Sequence, residues 1–282
     1  MNVLEVDGLV KNYPLFKLNN ISFSIEKGKI TGFIGRNGAG KSTTLKSILD
    51  FVHPDCGSVK FFGKDFLSAQ NEIKQKIGYV SGGINYYGKK KLSTISSVTK
   101  SFYDEWNDDA YKKFIKLFNL DEKKTPSQLS EGMKVKYALA LALSHNAELL
   151  ILDEPTSGLD PVSRDELLDI FMDLCDSGTT ILFSTHITSD IEKCADNIIY
   201  IKNGEIAANG DLKSFCGEYR LFSVGKDELT TEDKERAVGI NRSKSGYTIL
   251  TKSDCKALGN AVPLDTTLEE IMIHLEKGAT VK

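Results

Sequence analysis

The sequence predicts an α/β protein. A mostly parallel sheet carries the core, an antiparallel β part precedes it, a helical subdomain interrupts it, and a small α+β appendage follows. Three observations carry this prediction. Continuous apolar runs alternate with helical segments over 147–210, as strands buried on both faces require. Short β-prone runs separated by turn residues fill 1–34. Directly after them stands Gly35-Arg36-Asn37-Gly38-Ala39-Gly40-Lys41-Ser42-Thr43, which fits G-x-x-x-x-G-K-[ST] and marks a P-loop NTPase core.

The elements follow in order. Val3 to Val10, Ile21 to Ile25 and Lys29 to Ile34 read as strands, with Lys27-Gly28 as a turn. The glycine-rich loop leads into a helix over Ser42 to Leu49. Ser58 to Phe62 and Ile77 to Val80 read as further strands. The stretch of about 86–146 turns helical and polar, ending in the strong Ala/Leu run around Leu139, Leu141 and Leu143. Leu149 to Leu152, Thr180 to Ser184 and Ile198 to Ile201 read as buried strands, with helices at 161–176 and 188–195 between them. A composition shift near 217 separates a main domain, 1–216, from an accessory region, 217–282. That region shows one strand at Tyr247 to Leu250 and one helix from Leu268 to Glu276, with Thr267-x-x-Glu270 as a capping box.

Composition excludes several classes. The chain has 282 residues, 27% charged, with a formal net charge of -3. That balance gives no support for a nucleic-acid surface. Its five cysteines form no C-x-x-C pair, so neither a disulfide framework nor a zinc site is expected. The N-terminal Met1-Asn2-Val3-Leu4-Glu5-Val6-Asp7 does not read as a signal peptide. Ala138 to Leu143 and Leu149 to Leu152 are too short to span a bilayer, so a membrane role would come through a partner.

The chemistry concentrates in two places. In the glycine-rich loop the backbone curls its N–H groups around phosphate oxygens, and the following helix adds its positive end. Lys41 then reaches the β- and γ-phosphates, and Ser42 offers its hydroxyl to Mg²⁺. The second place is Leu149-Leu150-Ile151-Leu152-Asp153-Glu154-Pro155, where an apolar strand delivers two acids at its C-terminal end. Asp153 is expected to hold Mg²⁺, directly or through water. Glu154 is expected to polarise the water that attacks the γ-phosphate.

The order of these motifs resembles the ATP-binding cassette (ABC) ATPases, the nucleotide-binding subunits of membrane transporters, over residues 1 to about 216. The resemblance adds further positions. Tyr13 matches the aromatic that stacks on adenine. Leu129-Ser130-Glu131-Gly132-Met133 matches the signature, where Ser130 caps a helix and, with Gly132, faces the nucleotide of an opposite subunit. Ser157-Gly158-Leu159-Asp160 matches the loop between two cassettes, and His186 matches the switch histidine at the γ-phosphate. The resemblance implies ATP and Mg²⁺ as cofactors and a sandwich dimer, either a homodimer or one with a paralogous subunit. It also implies transmembrane permease partners and a place on the cytoplasmic face of the membrane.

Three positions depart from the family pattern. Gly82 stands where a glutamine usually helps hold Mg²⁺, and Glu131 and Met133 replace a glycine and a glutamine of the signature. These changes suggest weak closure of the chain on itself. Ser130 to Lys134, Ala138 to His145 and Phe102 to Trp106 are similar to bacterial export-type ATPases, which are associated with peptide, antibiotic-resistance or small-molecule export. In that setting Tyr86, Tyr87, Phe102 and Trp106 are candidate contacts for a membrane subunit, or else local core. A soluble cassette ATPase outside any transporter, and a phosphate-loop kinase, are the alternative readings.

Overall fold

A computed structural model of the chain describes residues 1–81, 87–255 and 261–278. Strands β1 (Asn2–Tyr13) and β2 (Phe16–Glu26) pair antiparallel, with Tyr13 opposite Phe16. Alternate positions of β2, at Ile21, Phe23 and Ile25, are buried, as a one-faced sheet requires. Strand β3 (Ile30–Ile34) runs into the glycine-rich loop and α1 (Lys41–Ile48). Strand β4 (Cys56–Phe61) returns to β1, and β5 (Lys64–Asp65) completes a sheet of order β2-β1-β4-β5. Leu45 and Ile48 of α1 share one core cluster with Leu9, Leu18 and Ile21 of this sheet and with Ile151 and Leu182 of the central one.

Helix α2 (Gln70–Gln75) leads to β6 (Ile77–Ser81), and then to a helical part of α3 (Leu92–Lys100), α4 (Asp108–Leu117) and α5 (Glu131–Ser144). Helix α5 is buried almost continuously from Tyr137 to Ser144, which its unbroken Ala/Leu run allows. A hydroxyl cluster ties these helices together: the Ser96 hydroxyl lies 2.6 Å from that of Tyr111 and 2.8 Å from that of Tyr137. Burial pushes the Tyr111 phenol well above its ordinary range. Among the candidate membrane contacts, Phe102 and Tyr87 are exposed, while Trp106 packs against Tyr111 and donates to Asp108. Tyr86 and Gly82 lie outside the described residues.

The core then alternates β7 (Leu149–Asp153), α6 (Pro161–Asp176), β8 (Thr180–Thr185), α7 (Thr188–Cys194), β9 (Asn197–Lys202) and β10 (Glu205–Asp211). The six-stranded sheet has the order β10-β9-β3-β8-β7-β6, and β9, β3, β8, β7 and β6 pair in parallel. Parallel pairing sends the loops after β3, β8 and β7 out of the same edge of the sheet, where such folds bind ligands.

The chain divides into two compact units, Met1–Asn209 and Gly210–Lys282, seven residues earlier than the composition shift suggests. The second unit holds α8 (Leu212–Gly217), β11 (Tyr219–Gly225), α9 (Thr231–Arg236), β12 (Gly239–Arg242), β13 (Gly246–Lys252), β14 (Val262–Leu264) and α10 (Leu268–Lys277). Its antiparallel sheet has the order β12-β13-β11-β14, with Phe222, Val224, Ile240 and Ile249 as core. Only β13 and α10 were visible in the sequence pattern. The Thr267 hydroxyl caps α10 as expected, accepting from Glu270 N–H at 3.2 Å. The Glu270 carboxylate, however, lies toward His274, so the return half of the box gives way to a contact within the helix.

Candidate active site

The glycine-rich loop rests on two glycines that no other residue replaces freely. Gly40 has φ +115°, and a Cβ there would lie 2.7 Å from Leu18 Cδ2 and 2.9 Å from Phe16 Cζ. A Cβ on Gly35 would meet the Ile201 carbonyl oxygen at 2.4 Å. Gly40→Ala is therefore expected to weaken nucleotide binding about tenfold or more, since strain of this kind costs roughly 1–3 kcal/mol. Titration with a fluorescent ATP analogue reads this directly, and wild-type affinity would show that the loop tolerates a side chain.

The loop floors a cleft of about 690 Å³. Asn37, Gly38, Gly40, Lys41, Ser42 and Thr43 line it, and Glu154, Ser157 and His186 face them. Lys41 is almost fully buried, and its ammonium donates to the carbonyl of Gly35 at 2.7 Å. It also lies 3.2 Å from Glu154 Oε1. The other carboxylate oxygen, Glu154 Oε2, accepts from His186 Nδ1 at 2.8 Å. A lysine after β3, a glutamate after β7 and a histidine after β8 thus form one chain of contacts across the sheet edge.

Asp153 lies beside them at the end of β7, buried. Its Oδ1 accepts from Ser42 Oγ at 3.0 Å and from Ser184 Oγ at 2.7 Å. Burial, together with the Asp153 charge, pushes the Tyr79 phenol up to about 12, so that neighbour stays neutral. Among the described residues no group of three or more His, Cys, Asp or Glu is placed to hold a metal ion. The Ser42–Asp153 pair instead fits Mg²⁺, which takes one or two hard protein oxygens and completes its shell with phosphate and water.

Glu154 carries a left-handed backbone, φ +51°, unusual for a residue with a side chain. Its N–H donates to Ser184 Oγ at 3.0 Å and to the Ser184 carbonyl at 3.2 Å, and its carbonyl accepts from Ser157 N–H at 3.2 Å. The kink turns the chain away from β7 so that two adjacent acids serve different partners.

Residues 18–157 match the family model described as ABC transporter. EcsA, an ABC-type transporter ATP-binding protein of Bacillus subtilis, is 32% identical over 245 residues, covering 83% of this chain and 98% of EcsA. The chain belongs to the ABC transporter ATP-binding proteins. The bacitracin transport ATP-binding protein BcrA of Enterococcus faecalis is 30% identical over 260 residues, covering 89% of this chain and 82% of BcrA. A solved structure of an ATP-binding subunit of an ABC transporter superposes with TM-score 0.68 at 28% identity, covering 75% of this chain and 91% of that one. The chain is thus an ATP-hydrolysing cassette with a P-loop α/β fold.

In this ABC cassette the remaining expected residues are placed as follows. Tyr13 is 42% exposed and does not line the cleft. Leu15 and Phe16, just across the hairpin turn, do, and the Tyr13 ring sits 6.4 Å from that of Phe16. Gly35 and Ala39 shape the loop from behind its lining, Gly35 against Ile201 and Ala39 as a core residue. Ser130 is the N-cap of α5, its hydroxyl accepting from Met133 N–H at 3.3 Å, and Gly132 sits in the first turn of that helix. Neither lines this chain's own cleft. Glu131 is ion-paired to Lys134 at 2.6 Å, which offsets the charge that the signature carries. Asp160 caps α6, and its carboxyl is held below the usual range by hydrogen bonds from Ser163. Thr156 donates to the buried Asp190 at 2.6 Å, tying the loop after β7 to the helix after His186. Leu15, Phe16 and Ser184 escaped the sequence reading. Phe16 could have been found as a second aromatic at the same hairpin, and Ser184 as a hydroxyl in an otherwise apolar strand.

Proposed function

We propose that this chain is the motor subunit of a bacterial exporter, with ATP held by the loop 35–43 and turned over at Glu154. The observation that supports this best is the contact chain Lys41–Glu154–His186 at the mouth of the phosphate loop. Lys41 passes from Glu154 to the incoming β- and γ-phosphates. Glu154, released from Lys41, accepts a proton from the attacking water. His186, beside Glu154 through Nδ1, would donate a ring N–H to the γ-phosphate once that carboxylate turns to the water. Ser42 and Asp153 would hold Mg²⁺, which would offset charge on the phosphates. Tyr13 with Phe16 offers an aromatic rim for the adenine. Ser130 and Gly132, at the N-terminal end of α5, would meet the nucleotide of a second cassette, identical or paralogous.

The bacitracin transport relative supports a peptide, an antibiotic or another small molecule as cargo. Among the described residues no helix is long and apolar enough to cross a membrane, so permease partners would supply the path, with this chain on their cytoplasmic face. Size-exclusion of the Glu154→Gln chain with and without MgATP tests the sandwich. A nucleotide-dependent shift to twice the mass supports a homodimer. An unshifted peak with nucleotide bound rejects self-closure and points to a paralogous partner, as Met133 at the signature glutamine suggests.

A further inference from the structure

We propose that Ser184 is a positioning residue for the hydrolytic site: its hydroxyl sets both the metal-binding carboxylate of Asp153 and the backbone kink that aims Glu154. The proposal rests on the reading of Asp153 as metal ligand and Glu154 as the base. Ser184 lies on β8, directly beside Asp153 in the register of β7 and beside Phe33 in that of β3. It therefore stands between the strand that delivers the acids and the strand that delivers the phosphate loop. It is fully buried, as are Ile181, Leu182 and Phe183 before it. A hydroxyl placed there must find its partners inside the protein.

Those partners are the two acids. The single hydroxyl proton goes to Asp153 Oδ1 at 2.7 Å. A lone pair receives the Glu154 N–H at 3.0 Å. One oxygen atom thus fixes the rotamer of one acid and the main chain of the next. The same Oδ1 takes its second hydrogen bond from Ser42, at 3.0 Å. Once Ser42 turns a lone pair toward a metal ion, Ser184 is the contact that keeps the Asp153 carboxylate in place from behind. Partners of this kind behind a ligating carboxylate orient it and hold its geometry. Without the hydroxyl, Glu154 keeps only the 3.2 Å bond to the Ser184 carbonyl, and Asp153 loses its shorter donor.

The test uses the full chain with Ser184→Ala and the pair Ser184→Thr and Ser184→Val, which match in shape and differ by the hydroxyl. Mn²⁺ affinity is read by electron paramagnetic resonance in the presence of a non-hydrolysable ATP analogue, alongside nucleotide affinity without metal, turnover and thermal unfolding. In Ser184→Ala and Ser184→Val, Mn²⁺ affinity and turnover are expected to fall about tenfold, while Ser184→Thr stays within about threefold of wild type. Metal-free nucleotide affinity stays unchanged in all three. A purely structural role would lower the unfolding temperature without separating Thr from Val. If Ser184→Ala does not fold, the Thr–Val comparison decides. Wild-type Mn²⁺ affinity and turnover in the folded variants lacking the hydroxyl would overturn the proposal. Asp153→Asn is run in parallel: unchanged Mn²⁺ affinity there removes the metal assignment, and the proposal falls with it for that separate reason.

Discussion

A Glu154→Gln chain should bind nucleotide at least as well as wild type and lose at least about 100-fold in turnover, the range expected when a general base is removed. Glutamine keeps the shape and the hydrogen bond from His186 but cannot take a proton from water. The rise in affinity has its own cause. Lys41 lies 3.2 Å from Glu154 Oε1, so an arriving phosphate competes with that carboxylate for the ammonium. Glutamine carries no charge and lets Lys41 go more cheaply. Single-turnover hydrolysis and equilibrium nucleotide binding measure the two effects separately. Equal turnover in Glu154→Gln and wild type would remove Glu154 from the catalytic role.

Lys41→Ala should have the opposite signature. A charge-assisted hydrogen bond is worth roughly 1.5–3 kcal/mol, so nucleotide affinity should fall about tenfold to 100-fold. The loss also reaches the fold of the loop, because Lys41 donates to the carbonyl of Gly35 at 2.7 Å and to that of Arg36 at 3.4 Å. Removing it leaves those carbonyls without this donor and Glu154 with His186 as its named partner. ADP separates the contributions: a γ-phosphate-only role spares ADP affinity, whereas a collapsed loop loses ATP and ADP together. Retained affinity for both nucleotides would show that the backbone N–H groups carry binding without the lysine.

The loop and the acidic strand were legible because phosphate chemistry demands fixed residue types at fixed spacing. Helix α6 was legible to its ends because Asp160 caps it, Pro161 opens it and Gly178 follows it. The contact chain Lys41–Glu154–His186 was not, since it depends on β8 lying between β3 and β7, and strand order is absent from local pattern. Ser184 was hidden for the same reason. A serine in an apolar strand reads as ordinary until its neighbour across the sheet is known. Tyr13 was assigned by resemblance, but the hairpin turn puts Phe16 on the cleft wall and leaves Tyr13 beside it. The second unit was obscure because charged and polar residues break up the apolar runs of its strands. Strand β11, for example, buries Tyr219, Leu221, Phe222 and Val224, while Arg220 stays exposed between the first two.

The left-handed backbone of Glu154 has an evolutionary corollary. At φ +51° asparagine or glycine would rest more comfortably than glutamate. Glutamate therefore stands there against the local conformational preference, a cost that the proposed role of its carboxylate would offset. A lineage of such chains released from that role would drift at this one position toward asparagine or glycine, with the surrounding strand and helix intact. Such a replacement, met in a genome, would read as the fossil of a retired motor whose architecture had outlived its chemistry.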